Sequence, residues 1–256
     1  MRKLETAQRV SVDESDNFVY CRSELAYRCA AGMVSGRVLE IGTGSGYGVD
    51  IIAPRAESFL TVDKFDCGRD FSGCGNVEFR RMRIPPLTGV ETASVDFVVS
   101  FQVIEHIRND RAFLSEVRRV LRPGGRMIIT TPNRKTSLTR NPWHVREYTA
   151  DELTTLLGEF FEQVEGHGIV GNAKIMEYYA ANKLSVARLA RLDVLRLMKW
   201  LPRWMLRLPY DILNRLNRRR LLERNRTLTR NIAVDDYRLG EATDECFDLL
   251  FVAEKK

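Results

Sequence analysis

The chain has 256 residues, 44% of them hydrophobic, which is enough for one full core and one domain with an elaboration. It holds three His and five Cys, with no Cys-x-x-Cys and no His pair at a zinc-ligand interval; this argues against a structural metal or disulfide framework and suits a reducing, cytoplasmic compartment. The net charge of +6 is local: Leu184 to Arg230 carries thirteen Lys and Arg against three acidic residues, a segment of +10, while the other 27 basic and 31 acidic residues leave the rest of the chain at −4.

The opening "MRKLETAQRVSVDESDN" has no apolar leader, and no uninterrupted apolar run reaches the ~18 residues of a transmembrane helix, so the sequence reads as soluble or peripheral. Short apolar runs then alternate with helical patterns through the first 170 residues, the rhythm of a parallel sheet. "RVLEIG" from Arg37, "SFLTVD" from Ser58 and "VEFRRM" from Val77 are the first three predicted strands, and "VDFVVSF" from Val95 and "RMIITTP" from Arg126 are the fourth and fifth. The helix between the last two carries Phe113, Leu114, Val117, Val120 and Leu121 at helical spacing and is ended by Pro123-Gly124-Gly125. Thr149 with Glu152 three residues later predicts a capped helix start. "EQVEGHGIV" and "ECFDLLFVAEK" supply a sixth and a seventh strand. The prediction is a doubly wound α/β fold with a seven-stranded, mostly parallel sheet formed by residues 1–171 and 245–256, and a helical insert at 172–244 between the sixth and seventh strands.

"VLEIGTGSGYG", Val38 to Gly48, is the most informative stretch. No register gives the GxGxxG of a dinucleotide loop, and no GK followed by Ser or Thr makes it a P-loop. Instead Gly42, Gly44 and Gly46 alternate behind Glu40, between a strand and a helix, so that a flat ligand can lie against bare backbone while Glu40 reaches an ammonium group. Asp63, twenty-one positions after Gly42, ends the second strand; in a doubly wound sheet it faces the same crevice and can accept both hydroxyls of a ribose.

These residues, with "TVD", "VDFVVSFQVIEHI", "VRRVLRPGGRMIITTPN" and "NPWHVREYTADEL", resemble the class I S-adenosylmethionine-dependent methyltransferases, in particular bacterial enzymes of small-molecule, lipid and surface-glycan methylation. The resemblance covers about Asn17 to Val170 plus the last strand, and "ELAYRCA" looks like the helix those enzymes place before the first strand. It implies S-adenosylmethionine as cofactor, with Glu40, Gly42, Thr43, Gly44 and Gly46 at its methionine end, Asp63 at the ribose, Phe101 and Gln102 on the floor near the methyl group, and Tyr20 and Tyr27 covering from the N-terminal helix. It departs after the third strand: many relatives have an Asp near the adenine amine where this chain has Met82 and Arg83, so adenine falls to backbone groups and Met82.

Methyl transfer needs alignment and, for a hydroxyl acceptor, a base. His106, just past the fourth strand, ranks first and His144, after the fifth, second, with Glu147 as an orienting partner; packing or loop-anchoring roles are the plain alternatives for both histidines. His167 reads as a surface residue. Some relatives hold a divalent metal with an acidic residue three positions before a Glu-His pair; here that residue is Gln102, a poor ligand, so no catalytic metal is expected. The Asp/Asn-Pro-Pro-Tyr/Phe signature of base-amino methylation, the nucleophilic Cys of cytosine-C5 enzymes and the two-glutamate loop of arginine methylation are missing.

The insert interleaves Leu, Met and two Trp with Arg, broken at Pro202 and Pro209; Leu189, Leu192, Leu195 and Met198 make one stripe, with Arg188, Arg191, Arg196 and Lys199 beside it and Trp200 and Trp204 suited to a bilayer interface. Three readings stand: a cap packed on the core or a homodimer interface, engagement of an anionic membrane or lipid-linked acceptor through residues 184–230, and, against the leucine rows, nucleic acid. The chain therefore reads as a methyltransferase acting on oxygen of a small-molecule, glycan or lipid-linked acceptor, with N-methylation or a non-catalytic adaptor at a membrane or partner protein as alternatives.

Overall fold

The computed structural model of the protein describes residues 14–191, 201–224 and 226–256. Its strands are β1 (Arg37–Ile41), β2 (Ser58–Asp63), β3 (Val77–Arg81), β4 (Val95–Phe101), β5 (Leu121–Pro132), β6 (Gln163–Gly171), β7 (Tyr237–Glu241) and β8 (Asp248–Glu254). They form one sheet in the order β3-β2-β1-β4-β5-β8-β6-β7. The first five are parallel, and β8 runs antiparallel between β5 and β6. The topology reverses at β1, with β2 on one side and β4 on the other, which is where a doubly wound sheet opens a crevice at its carboxyl edge.

Alternation along the central strands explains the two-sided core. Leu39, Ile41, Val98, Met127 and Ile129 face a layer built by α3 (Asp110–Val120) and α4 (Ala150–Gly158). Val38, Val99, Ile128 and Leu250 face the other layer, built by α1 (Asn17–Ala31), α2 (Tyr47–Ile52) and α5 (Ala173–Ala190). Both strand faces are buried, as a parallel sheet requires. The helix start at Thr149 is a full capping box: the Thr149 hydroxyl accepts from the Glu152 N–H, and the Glu152 carboxylate accepts from the Thr149 N–H.

Three features depart from the sequence reading. The sheet has eight strands, because Tyr237–Glu241 inside the expected helical insert pairs antiparallel with β6 as an edge strand. The Pro123-Gly124-Gly125 turn lies within β5, where the register against β4 shifts between Val95 and Phe97, with Gly124 at φ 74°. Pro209 does not break the insert: α6 (Arg203–Arg224) runs through it. Pro209 removes the N–H that would otherwise donate to the Met205 carbonyl.

The short helix α7 (Arg226–Arg230) follows α6. Ile175 and Tyr178 of α5, Leu221 of α6 and Ile232 join Phe18 of α1 in the second core layer, so the segment between β6 and β8 packs on the N-terminal helix. Phe18 and Tyr178 stack at 4.8 Å between centroids. Among the described residues, no helix is long and apolar enough to cross a membrane. Leu192, Leu195, Arg196, Met198, Lys199 and Trp200 lie outside the described residues.

Candidate active site

The glycine loop leaves β1 with Gly42, Gly44 and Gly46 all at positive φ (99°, 59° and 83°). Each conformation disfavours an L side chain, and a Cβ on Gly42 would stand 2.4 Å from the Val103 side chain, so Gly42 is required on both counts. Above Gly44 the space is open: a Cβ there would meet nothing nearer than the Gly42 carbonyl at 3.9 Å. The loop is pinned from below and from the side. Gly42 N–H donates to the Val62 carbonyl at 2.8 Å, and Gly44 N–H donates to Asp63 Oδ2 at 3.0 Å. Asp63 Oδ1 also accepts from the Phe65 N–H at 2.9 Å, which leaves each oxygen with a lone-pair site for a ligand hydroxyl. Arg69 crosses over the loop, donating to the Gly46 carbonyl at 2.6 Å and forming a bidentate pair with Asp50.

Glu40 and two of its expected companions are buried behind the loop. Glu40 is 1% exposed, and both oxygens are taken inside the protein, Oε1 by the Tyr27 hydroxyl at 2.8 Å and Oε2 by the Thr61 hydroxyl at 2.5 Å. It lies beneath the loop with one hydrogen bond on each oxygen, and burial pushes its carboxyl up to about 7. Tyr27 is sealed in the same cluster, edge-on to Phe101 at 4.7 Å and against Gly48, where a Cβ would strike its ring at 2.1 Å. Tyr27 therefore supports the loop from behind. Thr43 is buried with its hydroxyl 2.6 Å from that of Thr61, so its backbone alone belongs to the crevice. Tyr20 stays half-buried, tilted 5.1 Å from Tyr47, and Met82 is held at the end of β3 by its N–H on the Asp63 carbonyl at 2.9 Å.

Gln102 follows β4 with φ 56°, a left-handed backbone that costs a non-glycine residue on the order of 1 kcal/mol and is fixed here by its N–H on the Thr130 carbonyl at 3.0 Å. That kink turns the chain into the Ile104–His106 turn and lines the floor of a second, adjoining cavity of about 230 Å³. Gln102, Glu105, His106, Asn141, His144 and Glu147 form one wall, and Arg22 of α1, Tyr178, Tyr179 and Asn182 of α5, and Tyr210, Asn214, Asn217 and Arg218 of α6 form the others.

His106 is the best-defined titratable group there. Its Nδ1 is 3.0 Å from the Trp143 carbonyl, which can only accept, so Nδ1 carries the proton and Nε2 keeps a lone pair. Burial pushes His106 down to about 4, against the opposing pull of that hydrogen bond, so the ring is neutral near pH 7. His144 packs edge-on to it at 5.0 Å but has both nitrogens engaged, Nδ1 with Glu147 at 2.6 Å and Nε2 with the Asn141 amide at 2.9 Å. Glu147 thus orients His144, and His144 braces His106. Glu105, which sequence reasoning passed over, is buried near both; its carboxylate accepts from the Thr131 hydroxyl at 3.1 Å and is pushed up to about 7 by burial. Ligand atoms of Glu105, His106 and His144 fall within 4.8 Å of one another, but the Asn141 amide already occupies His144 Nε2, a donor set poorly arranged for a cation. His167 lies apart, in β6, paired with Glu165 at 3.0 Å.

The reversal of strand order at β1, the open glycine cradle beside a strand-end carboxylate and the adjoining cavity define a Rossmann-like class I methyltransferase. The family model described as Methyltransferase domain matches residues 14–170, and the chain belongs to that family. Its relatives include a probable S-adenosylmethionine-dependent methyltransferase of Mycolicibacterium smegmatis, 38% identical over 184 residues that are 67% of this chain and 70% of that one. Another, from Mycobacterium tuberculosis, is 38% identical over 165 residues, 59% of this chain and 58% of its own length. Among solved structures, a methyltransferase of Thermotoga maritima described as a possible histamine N-methyltransferase shares the fold at a TM-score of 0.55 and 15% identity, over 93% of this chain and 92% of that one. The YcgJ protein of Bacillus subtilis does so at 0.54 and 15% identity, over 91% and 99%. The protein is an S-adenosylmethionine-dependent methyltransferase.

The residues present fit that cofactor. The open backbone over Gly44 would take the methionine end, Asp63 would take the ribose hydroxyls, and Gln102 lines the cavity.

Proposed function

We propose that the enzyme methylates a hydroxyl oxygen on a polar, hydroxyl-bearing acceptor, a small molecule, a glycan or the head of a lipid-linked precursor, seated in the cavity between His106 and α5–α6. The observation that carries this reading is the fixed tautomer of His106 beside that cavity. When bound, S-adenosylmethionine supplies a methyl group on a positively charged sulfur whose departure as a neutral thioether makes transfer favourable. His106 Nε2 takes the proton the acceptor hydroxyl loses as its oxygen bonds the methyl carbon. His144 and the Trp143 carbonyl hold the ring in place, and the half-buried Asn182, joined to the buried Asn217 at 2.8 Å, lines the cavity with an amide suited to a polyhydroxylated ligand.

The five unpaired thiols and the basic insert suit a cytoplasmic enzyme working at the inner face of a membrane. The chemistry is tested by transferring an isotopically labelled methyl to cell-extract acceptors and reading the product by NMR. An O-methyl resonance supports the reading. An N-methyl resonance alone overturns it, and cofactor binding without transfer to any acceptor pool would instead mark an adaptor.

A further inference from the structure

Helix α6 (Arg203–Arg224) packs through Leu206 and Leu221 and leaves a second apolar side uncovered. Its inner side also carries Tyr210, Asn214, Asn217 and Arg218, all lining the cavity. Asn217 is held by Asn182 and Ser185 of α5, and Arg218 pairs with Asp16. Its outer side carries Trp204, Leu208, Ile212 and Leu216, one every four residues, exposed by 71%, 60%, 47% and 47%, with Met205 and Leu213 also exposed. A single exposed leucine is ordinary; a row three turns long, on a helix already packed through its other side, is not.

We infer that this outer face docks on an anionic phospholipid bilayer, lying in the interface with its apolar row among the acyl chains. Charge selects this occupant. Arg207, Arg219 and Arg220 are exposed on α6, and Arg188 on the neighbouring α5 and Arg191 just after it are exposed too, all within the part of the chain whose sequence charge is +10. A two-fold contact between copies would bring this basic rim against itself, whereas anionic headgroups neutralise it while the long side chains keep their charges at the surface. Trp204 at the start of the row suits the boundary between headgroups and chains.

The same helix grips the loop that orients His106. Trp143 Nε1 donates to Asp211 at 2.9 Å, the Arg207 guanidinium lies 4.4 Å from the Trp143 ring centroid, and Arg203 donates to the Val145 carbonyl at 2.8 Å. Docking through α6 therefore sets the cavity directly beneath the membrane surface. The inference goes beyond the oxygen-methylation reading and does not depend on it.

The test is co-sedimentation of the full chain with vesicles of phosphatidylcholine alone and of phosphatidylcholine with 30% phosphatidylglycerol, at low and high salt. Binding to the anionic vesicles, weakened by salt, is the expected result, with partitioning at least tenfold weaker for Leu208→Glu/Ile212→Glu and for the separate charge reversal Arg219→Glu/Arg220→Glu. The second variant alters only exposed side chains and guards against misfolding of the first, and cofactor affinity, read on every variant, should not move. No binding by the wild type, binding unaffected by both variants, or a dimer that Leu208→Glu/Ile212→Glu splits into monomers would overturn the inference.

Discussion

Asp63 and His106 divide binding from chemistry. Asp63 is held by two backbone N–H groups and faces the glycine cradle, so its loss removes charge-assisted hydrogen bonds worth about 1.5–3 kcal/mol each. Asp63→Ala should weaken S-adenosylmethionine binding roughly ten- to a hundredfold by calorimetry; an unchanged affinity would remove the ribose assignment. His106, pushed down to about 4 by burial, is unprotonated well into the acid range. The acid limb of the kcat/KM profile should therefore fall below about pH 5, not at the usual histidine value of about 6.5. A limb at the usual value would mean that another group is the base.

Glu40 gives a stability test at the same scale. Its native pKa of about 7 exceeds its ordinary 4.5, so between these values the folded state binds a proton that the unfolded state has released. Stability contributed by this group consequently falls as pH rises through the window from about 4.5 to 7, by on the order of 3 kcal/mol in all. Glu40→Gln should flatten that dependence: the stability of the wild type relative to the variant declines from pH 5 to pH 8 in urea titrations. A constant difference would show that Glu40 is ionised throughout.

Among the elements, those with local signals were legible in the sequence. Alternating glycines, a strand-end Asp and a Thr-x-x-Glu cap are read within a few residues, and the structure places the loop, Asp63 and the capped α4 accordingly. Thr149→Ala should cost about 1 kcal/mol of stability in denaturant unfolding, and a loss near zero would show that the cap is redundant. What was not legible depends on partners distant in sequence. The Tyr27 and Thr61 hydroxyls on Glu40, and the Asn141 amide and Glu147 on the two nitrogens of His144, are partners that no local pattern announces. The edge strand Tyr237–Glu241 was hidden for a related reason: it is short, and pairing with β6, not its own pattern, makes it a strand.

Over the whole molecule, the segment between β6 and β8 is part of the fold and also part of the site. It contributes Tyr178, Leu221 and Tyr237 to one core layer, a wall of polar residues to the cavity, and contacts from Arg203, Arg207 and Asp211 to the His106 loop. The sequence showed its charge and its leucine content; the direction each face points came only with the fold, because a polar face at helical spacing such as Tyr210, Asn214, Asn217 and Arg218 reads as a solvent face until α5 and the cavity are seen against it.

The most direct measurement pairs calorimetry of S-adenosylmethionine binding with single-turnover methyl transfer for the wild type and His106→Gln. The variant should bind the cofactor with the wild-type affinity and transfer the methyl group roughly a hundredfold or more slowly. Transfer by His106→Gln at the wild-type rate would contradict the assignment of His106 as the base on which this account of the site rests.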